Sequence, residues 1–335
     1  MRHGTMKWHL WRLLSAIAGG IALLPLDAPA QTTAKVYRIG ILGMTSPDPR
    51  APNQMAFWEE LRRRGYVEGR NLIVERRDAA DRVDLLPALA RELVALRPDL
   101  IMAVTPPPTR AAKEATSTIP IVMIGVADPV GLGLAASLAH PGGNLTGVTT
   151  FVPGQFVAKG LQLLHEMVPS TKRIAMLVNP SNEMHRAVRQ EASQAALQLG
   201  VQLQVHPVRA ADEIEPALQA VVTEHAEALM VLGDSLFNEP PARLPQLVAR
   251  TRLPAIYLLR AQVEAGGLMS YGPDFIDQSR RLADYVDRIL KGANPGDLAI
   301  EQPTRFQVII NGNTAKSLGL AIPQSLLLSA EVIHR

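Results

Sequence analysis

Polar residues able to contact a ligand lie at or near the ends of several short apolar segments that we predict to be buried strands. Their side chains supply hydroxyl, amide, carboxylate and phenol groups. A hydroxyl or amide beside a helix start can hold a carboxylate or phosphate, an aspartate can meet an amino group, and a tyrosine can stack on a ring. Most of these residue types also cap helices for structural reasons alone, so the prediction depends on the set and not on any member. The predicted ligand-binding residues are Thr45, Ser46, Thr105, Thr109, Asp128, Asn179, Ser181, Asp234, Tyr257 and Tyr271.

The segment Gly233-Asp234-Ser235-Leu236 indicates a different kind of site, for ester hydrolysis. It matches the GDSL block that carries the nucleophilic serine in one family of hydrolases, and Glu331-Val332-Ile333-His334 resembles that family's Asp-x-x-His. Such a mechanism needs the serine, the acid and the histidine in contact. Here the block lies far from the start of the chain, a glutamate replaces the aspartate, and His334 is the penultimate residue. A serine esterase that uses Ser235 is therefore the alternative function and not the preferred one.

Several other classes of site lack the residues that they require. The chain has no cysteine, which excludes disulfides, thiol catalysis and cysteine-based metal sites, and none of its eight histidines has a histidine partner four residues away. Neither Gly-x-x-x-x-Gly-Lys nor Gly-x-Gly-x-x-Gly occurs. The formal charge of +3 falls to +1 once residues 1–30, which carry +2, are set aside, and no electrostatic argument for nucleic-acid binding is left. We expect no catalytic residue, no metal and no cofactor.

The first 30 residues have the pattern of a secretory signal peptide. Basic residues at positions 2, 7 and 12 precede a mostly apolar run over residues 13–26, and Ala28-Pro29-Ala30 supplies small residues before a cleavage site. A retained membrane anchor is the other interpretation, but the run is shorter than the ~20 residues that a spanning helix needs. We predict cleavage before Gln31 and a soluble protein in the periplasm.

From Val36 onwards, short apolar segments alternate with amphipathic ones, as strands and helices do in layered α/β proteins. The segments around Arg38, Asp99 and Pro120 are matched, in the same order and at similar spacing, by those around Arg173, Glu227 and Pro254. This predicts two similar doubly wound lobes, joined by three crossovers, with a ligand cleft between them. The predicted lobes are residues 31–149 plus 271–298 and residues 150–270 plus 299–335. A weak helix is also predicted over residues 128–138.

Five spaced segments resemble the ABC-transporter substrate-binding protein family that includes tryptophan and tyrosine binders. They are Arg64–Asn71, Ala115–Val122, Asp128–Gly131, His140–Gly147 and Glu264–Gly272. The resemblance runs from about Val36 to the end of the chain and implies a type I periplasmic binding fold, in which two α/β lobes clamp a ligand. The same fold serves sugar-responsive repressors, but the signal peptide and the missing helix-turn-helix point away from DNA.

One segment departs from that family's pattern. Members often carry Gly-Thr-Pro followed by alanines where this chain has Thr105-Pro106-Pro107-Pro108-Thr109. Proline has no main-chain N–H, so three donors are missing here. If relatives hold a ligand carboxylate with those amides, this chain must use the hydroxyls of Thr105 and Thr109 or another loop.

The sequence as a whole predicts an exported solute receptor that performs no chemistry. The resemblance implies that its ligand is an amino acid, possibly aromatic, or a related small carboxylate, and that the closed form docks on an ABC permease in the inner membrane. A receptor that feeds a sensor instead of a permease is equally compatible with the sequence. We expect a monomer that binds no nucleic acid.

Overall fold

Buried aliphatic segments form two separate sheets in this chain, which we describe from a computed structural model. The structure describes Met1 and residues 35–150, 156–238 and 240–335. Apart from Met1, the predicted signal peptide over residues 1–30 lies outside the described residues. Residues 36–335 form one unit. Within the described part of the chain, no helix combines the length and the apolar character needed to cross a membrane.

The first lobe is built on a five-stranded parallel sheet in the order β2-β1-β3-β4-β5. Its central strands carry almost no polar side chain because helices cover both faces, as parallel sheets require. The strands are β1 (Tyr37–Gly43), β2 (Leu72–Asp78), β3 (Leu100–Val104), β4 (Ile121–Val126) and β5 (Leu145–Thr149). The helices of this lobe are α1 (Pro52–Arg63), α2 (Leu86–Ala95), α3 (Pro106–Ala115) and, from much later in the chain, α10 (Phe275–Leu290).

The second lobe is built on a seven-stranded sheet in the order β12-β11-β10-β9-β8-β6-β7, in which only the β10–β11 pair is antiparallel. Its strands are β6 (Arg173–Val178), β7 (Gln202–Pro207), β8 (Ala228–Val231), β9 (Ala255–Tyr257), β10 (Met269–Pro273), β11 (Phe306–Asn311) and β12 (Glu331–Ile333). Its helices are α4 (Phe156–Met167), α5 (Glu183–Leu199), α6 (Ile214–Thr223), α7 (Ser235–Asn238), α8 (Arg243–Thr251), α9 (Arg260–Glu264), α11 (Gly312–Ser317) and α12 (Gln324–Ser329).

The strand orders confirm the predicted duplication. The run β2-β1-β3-β4-β5 of the first sheet returns as β7-β6-β8-β9-β10 in the second, and β11 and β12 extend the second sheet alone. The predicted fold of two similar doubly wound α/β lobes is therefore confirmed.

The chain passes between the two sheets at three places: after β5, between β10 and α10, and before β11. β10 stays in the second sheet through Pro273, and Glu301 bridges to Val148 of the first sheet. The exact residues at which one lobe gives way to the other stay a prediction.

The helix predicted over residues 128–138 is wrong, because this segment forms a series of turns. Gly133 has a φ of +68°, which is outside the helical region, and the Asp128 carboxylate accepts the N–H of Gly131 at 2.8 Å to close the first turn. Conversely, the sequence analysis assigned no helix to α3, which begins with three prolines. Proline is accepted in a first helical turn, where N–H groups have no partner inside the helix.

A charged network ties α10 to the end of α1. The carboxylate of Asp287, whose residue is only 5% exposed, accepts hydrogen bonds from the Tyr66 hydroxyl, the Arg64 guanidinium and the Lys291 ammonium, each at 2.9 Å. Burial alone raises the pKa of Asp287, but the hydrogen bonds from Lys291, Tyr66 and Arg64 outweigh burial and lower this pKa below its ordinary value. A carboxyl group with a lowered folded pKa stabilises the fold above its unfolded pKa and loses that contribution as the pH falls through the folded pKa.

We therefore expect Asp287→Asn to lower the free energy of unfolding by about 1–3 kcal/mol at pH 7, because the donors around it lose a charged acceptor. The difference from the unaltered protein should shrink below about pH 4, where the carboxyl group begins to protonate. Urea unfolding at pH 7, and again at about pH 3.5, where the difference should be smaller, measures both effects. Asp84→Asn, in the exposed pair with Arg82, is the control and should change little. An equal loss at both pH values for Asp287→Asn would contradict this account.

Candidate functional site

The carboxyl ends of the strands in the first lobe bring four of the predicted residues to one edge of the sheet. Thr45 and Ser46 follow β1, Thr105 lies between β3 and α3, and Asp128 follows β4. In open α/β sheets, ligands bind beyond this edge. The main chain crosses to the second lobe from the same edge, where the N–H of Thr150 donates to the Val126 carbonyl at 3.1 Å.

Two of these residues make local contacts. The Ser46 hydroxyl is exposed and donates to the carboxylate of Asp78 at 2.5 Å, which joins the loop after β1 to the end of β2. Asp128 is also exposed, and its carboxylate closes the turn to Gly131. Both side chains remain accessible to a ligand from solvent.

The two threonines around the proline run differ. Thr109 is fully buried, and its hydroxyl donates to the Thr105 carbonyl at 2.8 Å. The Thr105 hydroxyl oxygen is also buried, but it has no hydrogen-bond partner among the described residues. Thr105 has a φ of +75° and a ψ of 165°, a conformation that is unfavourable for a β-branched residue.

On the second lobe, Asp234 is the acceptor that joins the ends of β6 and β8. Its carboxylate accepts from the amide groups of Asn182, at 2.7 Å, and Asn179, at 3.3 Å, and from the N–H of Leu236 at 2.9 Å. Ser181, which is exposed, donates its N–H to the Asn179 side chain at 3.0 Å. The hydrogen bonds between Asp234 and Asn179 thus fix the position of the loop after β6 relative to the loop after β8.

His185 belongs to the same structure, although sequence analysis did not select it. Its Nδ1 accepts the N–H of Asn179 at 2.8 Å, and its Nε2 lies 3.1 Å from the Gly233 carbonyl, so the ring is neutral with the proton on Nε2. The imidazole is parallel to the Phe237 ring, with centroids 6.3 Å apart. Burial lowers the pKa of His185, and the Asp234 charge and the Gly233 carbonyl offset this only in part.

Three aromatic rings form a second feature at this edge. Tyr271 stacks on Phe156, with centroids 5.1 Å apart, and on Phe306, with centroids 5.5 Å apart; we call these three residues the aromatic cluster. Tyr271 and Phe306 are half-buried, and burial raises the pKa of Tyr271. Ala127, at the end of β4 in the first lobe, packs into the same hydrophobic core as the cluster.

Sequence analysis found Tyr271 but missed Phe156 and Phe306, since neither is next to a recognised strand end. The antiparallel pairing of Phe306 with Pro273 puts Phe306 beside the end of β10, where the chain crosses to α10. This register cannot be read from one sequence. Leu232 and Leu258 line a small pocket next to the cluster, together with Phe156 and Tyr271.

Tyr257 is 2% exposed and packs inside the second lobe, where its ring lies against Gly267. Burial raises its pKa. Its side chain presents almost no surface to a ligand in this conformation.

The serine esterase alternative is wrong. Ser235 follows β8, whereas Glu331 and His334 lie on and after β12, four strands away in the sheet order, a separation of roughly 19 Å at ordinary strand spacing. The Glu331 carboxylate is instead paired with the Arg260 guanidinium at 2.6 Å. These residues cannot act together on one substrate. Among the described residues, no group of three or more histidines and carboxylates is arranged to hold a metal ion.

Asp234→Asn should lower the free energy of unfolding by about 1–3 kcal/mol. The substitution replaces one acceptor oxygen with an NH2 group, which would face the NH2 groups of Asn179 and Asn182 and could not accept their hydrogen bonds. Ser235→Ala, at the neighbouring exposed position, is the control and should leave stability unchanged. Urea unfolding of both variants measures the difference. Equal stability of the two variants would show that the Asp234 carboxylate does not join the strand ends.

The His185 ring should have a pKa below the ordinary histidine value of 6.5, because burial disfavours its charged form. Since the folded pKa is lower than the unfolded one, protonation favours the unfolded chain, and stability decreases as the pH falls below about 6.5. An NMR titration of the ring nitrogens should show the Nε2–H form at neutral pH and a pKa below 6.5. A doubly protonated ring at pH 7 would contradict the hydrogen bond from Asn179.

Comparisons with known proteins assign the chain to a family. Residues 38–333 match the family described as ABC transporter substrate binding protein. A tyrosine-binding protein of Clostridioides difficile is 25% identical over 286 residues, which cover 85% of this chain and 82% of the relative. The crystal structure of a conserved domain protein from Vibrio cholerae has a TM-score of 0.82 at 26% identity, covering 89% of this chain and 99% of that one.

A second solved structure, the ABC domain from Streptococcus pneumoniae in complex with L-Trp, has a TM-score of 0.81 at 25% identity and covers 89% of this chain and all of that one (100%). These matches confirm the predicted resemblance and the type I periplasmic binding fold. The chain belongs to the family of ABC transporter substrate-binding proteins, which are solute-binding proteins and not enzymes.

Proposed function

We propose that this protein is an exported receptor that binds a small amphipathic ligand of the amino-acid class between its lobes and delivers it to an ABC permease of the inner membrane. The observation that carries the proposal is the aromatic cluster at the cleft edge of the second lobe. It faces solvent only in part, shares a hydrophobic core with Ala127, which precedes Asp128 of the first lobe, and lines one pocket with Gly233, which precedes Asp234 of the second.

The aromatic cluster fits the apolar part of such a ligand. Tyr271 and Phe306 each retain some exposed surface, as does Leu258, while Leu232 is buried in the wall of the same small pocket. A ring or a branched aliphatic side chain placed there would leave water and gain stacking or dispersion contacts. The relatives described above include a tyrosine-binding protein and a structure with bound L-Trp, so aromatic amino acids are the first ligands to test.

The polar part of the ligand would lie against the strand ends. On the first lobe, Thr45, Ser46, Thr105 and Asp128 are candidates, and on the second lobe Ser181 is exposed beside Asn179. We assign Asn179 and Asp234 a positioning role because they bond to each other. Thr109 and Tyr257 are left out of the proposed contact set, because the buried Thr109 hydroxyl already donates to the Thr105 carbonyl and Tyr257 packs inside the second lobe.

Closure of the lobes would couple binding to transport. A ligand that contacts both lobes favours the closed form by the difference in its affinity for the two forms, and a permease can recognise that form. The pattern of residues 1–30 supports export to the periplasm, with a mature chain that begins near Gln31. We propose that this mature chain acts as a monomer.

A thermal-shift screen of the mature chain against amino acids, aromatic carboxylates, purines and sugars tests the proposal. A ligand at about 100 times its dissociation constant adds ~2.7 kcal/mol to stability. We expect stabilisation by an aromatic amino acid and a loss of affinity of about tenfold or more in Tyr271→Ala, because a buried aromatic contact is removed.

Tyr271→Phe is the matched control, since it keeps the stacked ring and removes only the hydroxyl. It should bind nearly as well as the unaltered protein. Stabilisation by sugars alone, or full affinity in Tyr271→Ala, would contradict the proposed role of the aromatic cluster.

A further inference from the structure

The start of α3 lacks the main-chain donors that helix starts normally offer to anions. The first four N–H groups of a helix have no partner within it, and they are the usual reason why helix starts bind carboxylate and phosphate. In α3 the first three helical residues are Pro106, Pro107 and Pro108, none of which has an N–H. The N–H of Thr109, the next residue, donates to the Thr105 carbonyl at 3.2 Å. This helix therefore presents no free N–H at its first turn.

The same prolines explain the unpartnered hydroxyl of Thr105. A threonine in the capping position normally accepts a hydrogen bond from the N–H of the second or third helical residue. Here those residues are Pro107 and Pro108, and the Thr105 side chain makes no capping hydrogen bond. Its oxygen is buried without a partner in the described part of the chain. The hydroxyl is thus free both to donate and to accept.

The backbone at Thr105 adds an independent observation. Its φ of +75° is a conformation that glycine adopts at little cost and a β-branched residue does not. Gly125 packs closely against this turn: a Cβ atom added at Gly125 would lie only 3.2 Å from the main-chain nitrogen of Thr105. Backbone conformations of this kind cluster at ligand clamps and active sites, which fits a ligand contact by the Thr105 side chain.

A second hydroxyl at this edge has the same property. Thr150, two strands along the sheet from Thr105, is 9% exposed, and its oxygen is buried without a partner among the described residues. Asp128, which follows the strand between them, adds a negative charge to the edge. Hydroxyls beside a carboxylate suit an uncharged polar group better than an anion, because a buried carboxylate needs several donors or a positive charge.

We propose that the end of the ligand that lies against α3 is an uncharged hydrogen-bonding group, such as a carboxamide or a hydroxyl, and that Thr105 Oγ1 contacts it. This inference rests on the proposed function, and it narrows the ligand class from amino acids to derivatives whose carboxylate is absent or masked at this end. Thr105 would then determine specificity, while the aromatic cluster holds the apolar part.

Calorimetric titration of the mature protein with matched pairs tests this inference: L-tryptophan against L-tryptophanamide, and L-tyrosine against L-tyrosinamide. We expect the carboxamide of at least one pair to bind as tightly as the carboxylate or more tightly. Thr105→Val, which keeps the branched shape and removes the hydroxyl, should weaken carboxamide binding by about tenfold. Thr105→Ser keeps the hydroxyl and should bind like the unaltered protein.

The double variant Pro107→Ala/Pro108→Ala restores two N–H groups to the first turn of α3. It should shift the affinity ratio towards the carboxylate by about tenfold, because charge-assisted hydrogen bonds become available. The melting temperature of each variant shows whether it folds, and the comparison of ligand pairs on the unaltered protein needs no variant.

Carboxylate binding at least tenfold tighter than carboxamide binding in the unaltered protein, or equal binding by Thr105→Val, would overturn this inference alone, provided that Tyr271→Ala still weakens both ligands. If no compound of either the pairs or the wider panel binds, the proposed function fails and this inference fails with it.

Discussion

The hydrogen bond from the Gln278 side chain to the Thr149 carbonyl, at 2.8 Å, joins two of the three segments that cross between the lobes. Gln278 lies on α10 and is 2% exposed, so this bond is shielded from water. The main chain of Glu301 adds the third segment, since its carbonyl accepts the N–H of Thr149 at 2.8 Å and its N–H donates to Gly147 at 3.1 Å. The polar strand ends of the two lobes can meet across a ligand only while these segments keep their positions.

A second layer of contacts completes this junction. Asp274 caps α10 through its side chain and also accepts from the Gln307 amide at 3.0 Å, while its N–H donates to the Arg305 carbonyl at 3.0 Å. Arg281 bridges α10 to Glu301 at 2.8 Å. Hydrogen bonds thus connect the three crossings to one another, so they form one joint and not three independent linkers. Such a joint suits a receptor whose two states differ in the angle between rigid lobes.

The sequence predicted those parts of the fold that depend on periodicity and repetition. The alternation of apolar and amphipathic segments and its repetition along the chain predicted the two lobes, and helices such as Phe156–Met167 and Phe275–Leu290 show the regular apolar spacing on which that prediction rests. The helix over residues 128–138 was mispredicted, because this segment turns at Asp128 and Gly133, and α3 was not assigned, because it begins with three prolines. The site was predicted in part, because strand ends can be read from the order of segments in the chain. The stacking of Phe156 and Phe306 on Tyr271, and the hydrogen bond from Asn179 to His185, depend on sheet register and packing and could not be predicted.

The placement of α10 in the first lobe has a consequence for how the chain folds. Arg64 and Tyr66 contact Asp287 across sequence separations of 223 and 221 residues, so the first lobe cannot complete its core until most of the chain is available. Contacts this distant along the chain slow folding, because a long loop must close before they form. If the chain is exported as proposed, it gains from this delay, because it stays unfolded, and so able to pass through a membrane channel, for longer than a chain whose leading half could fold alone.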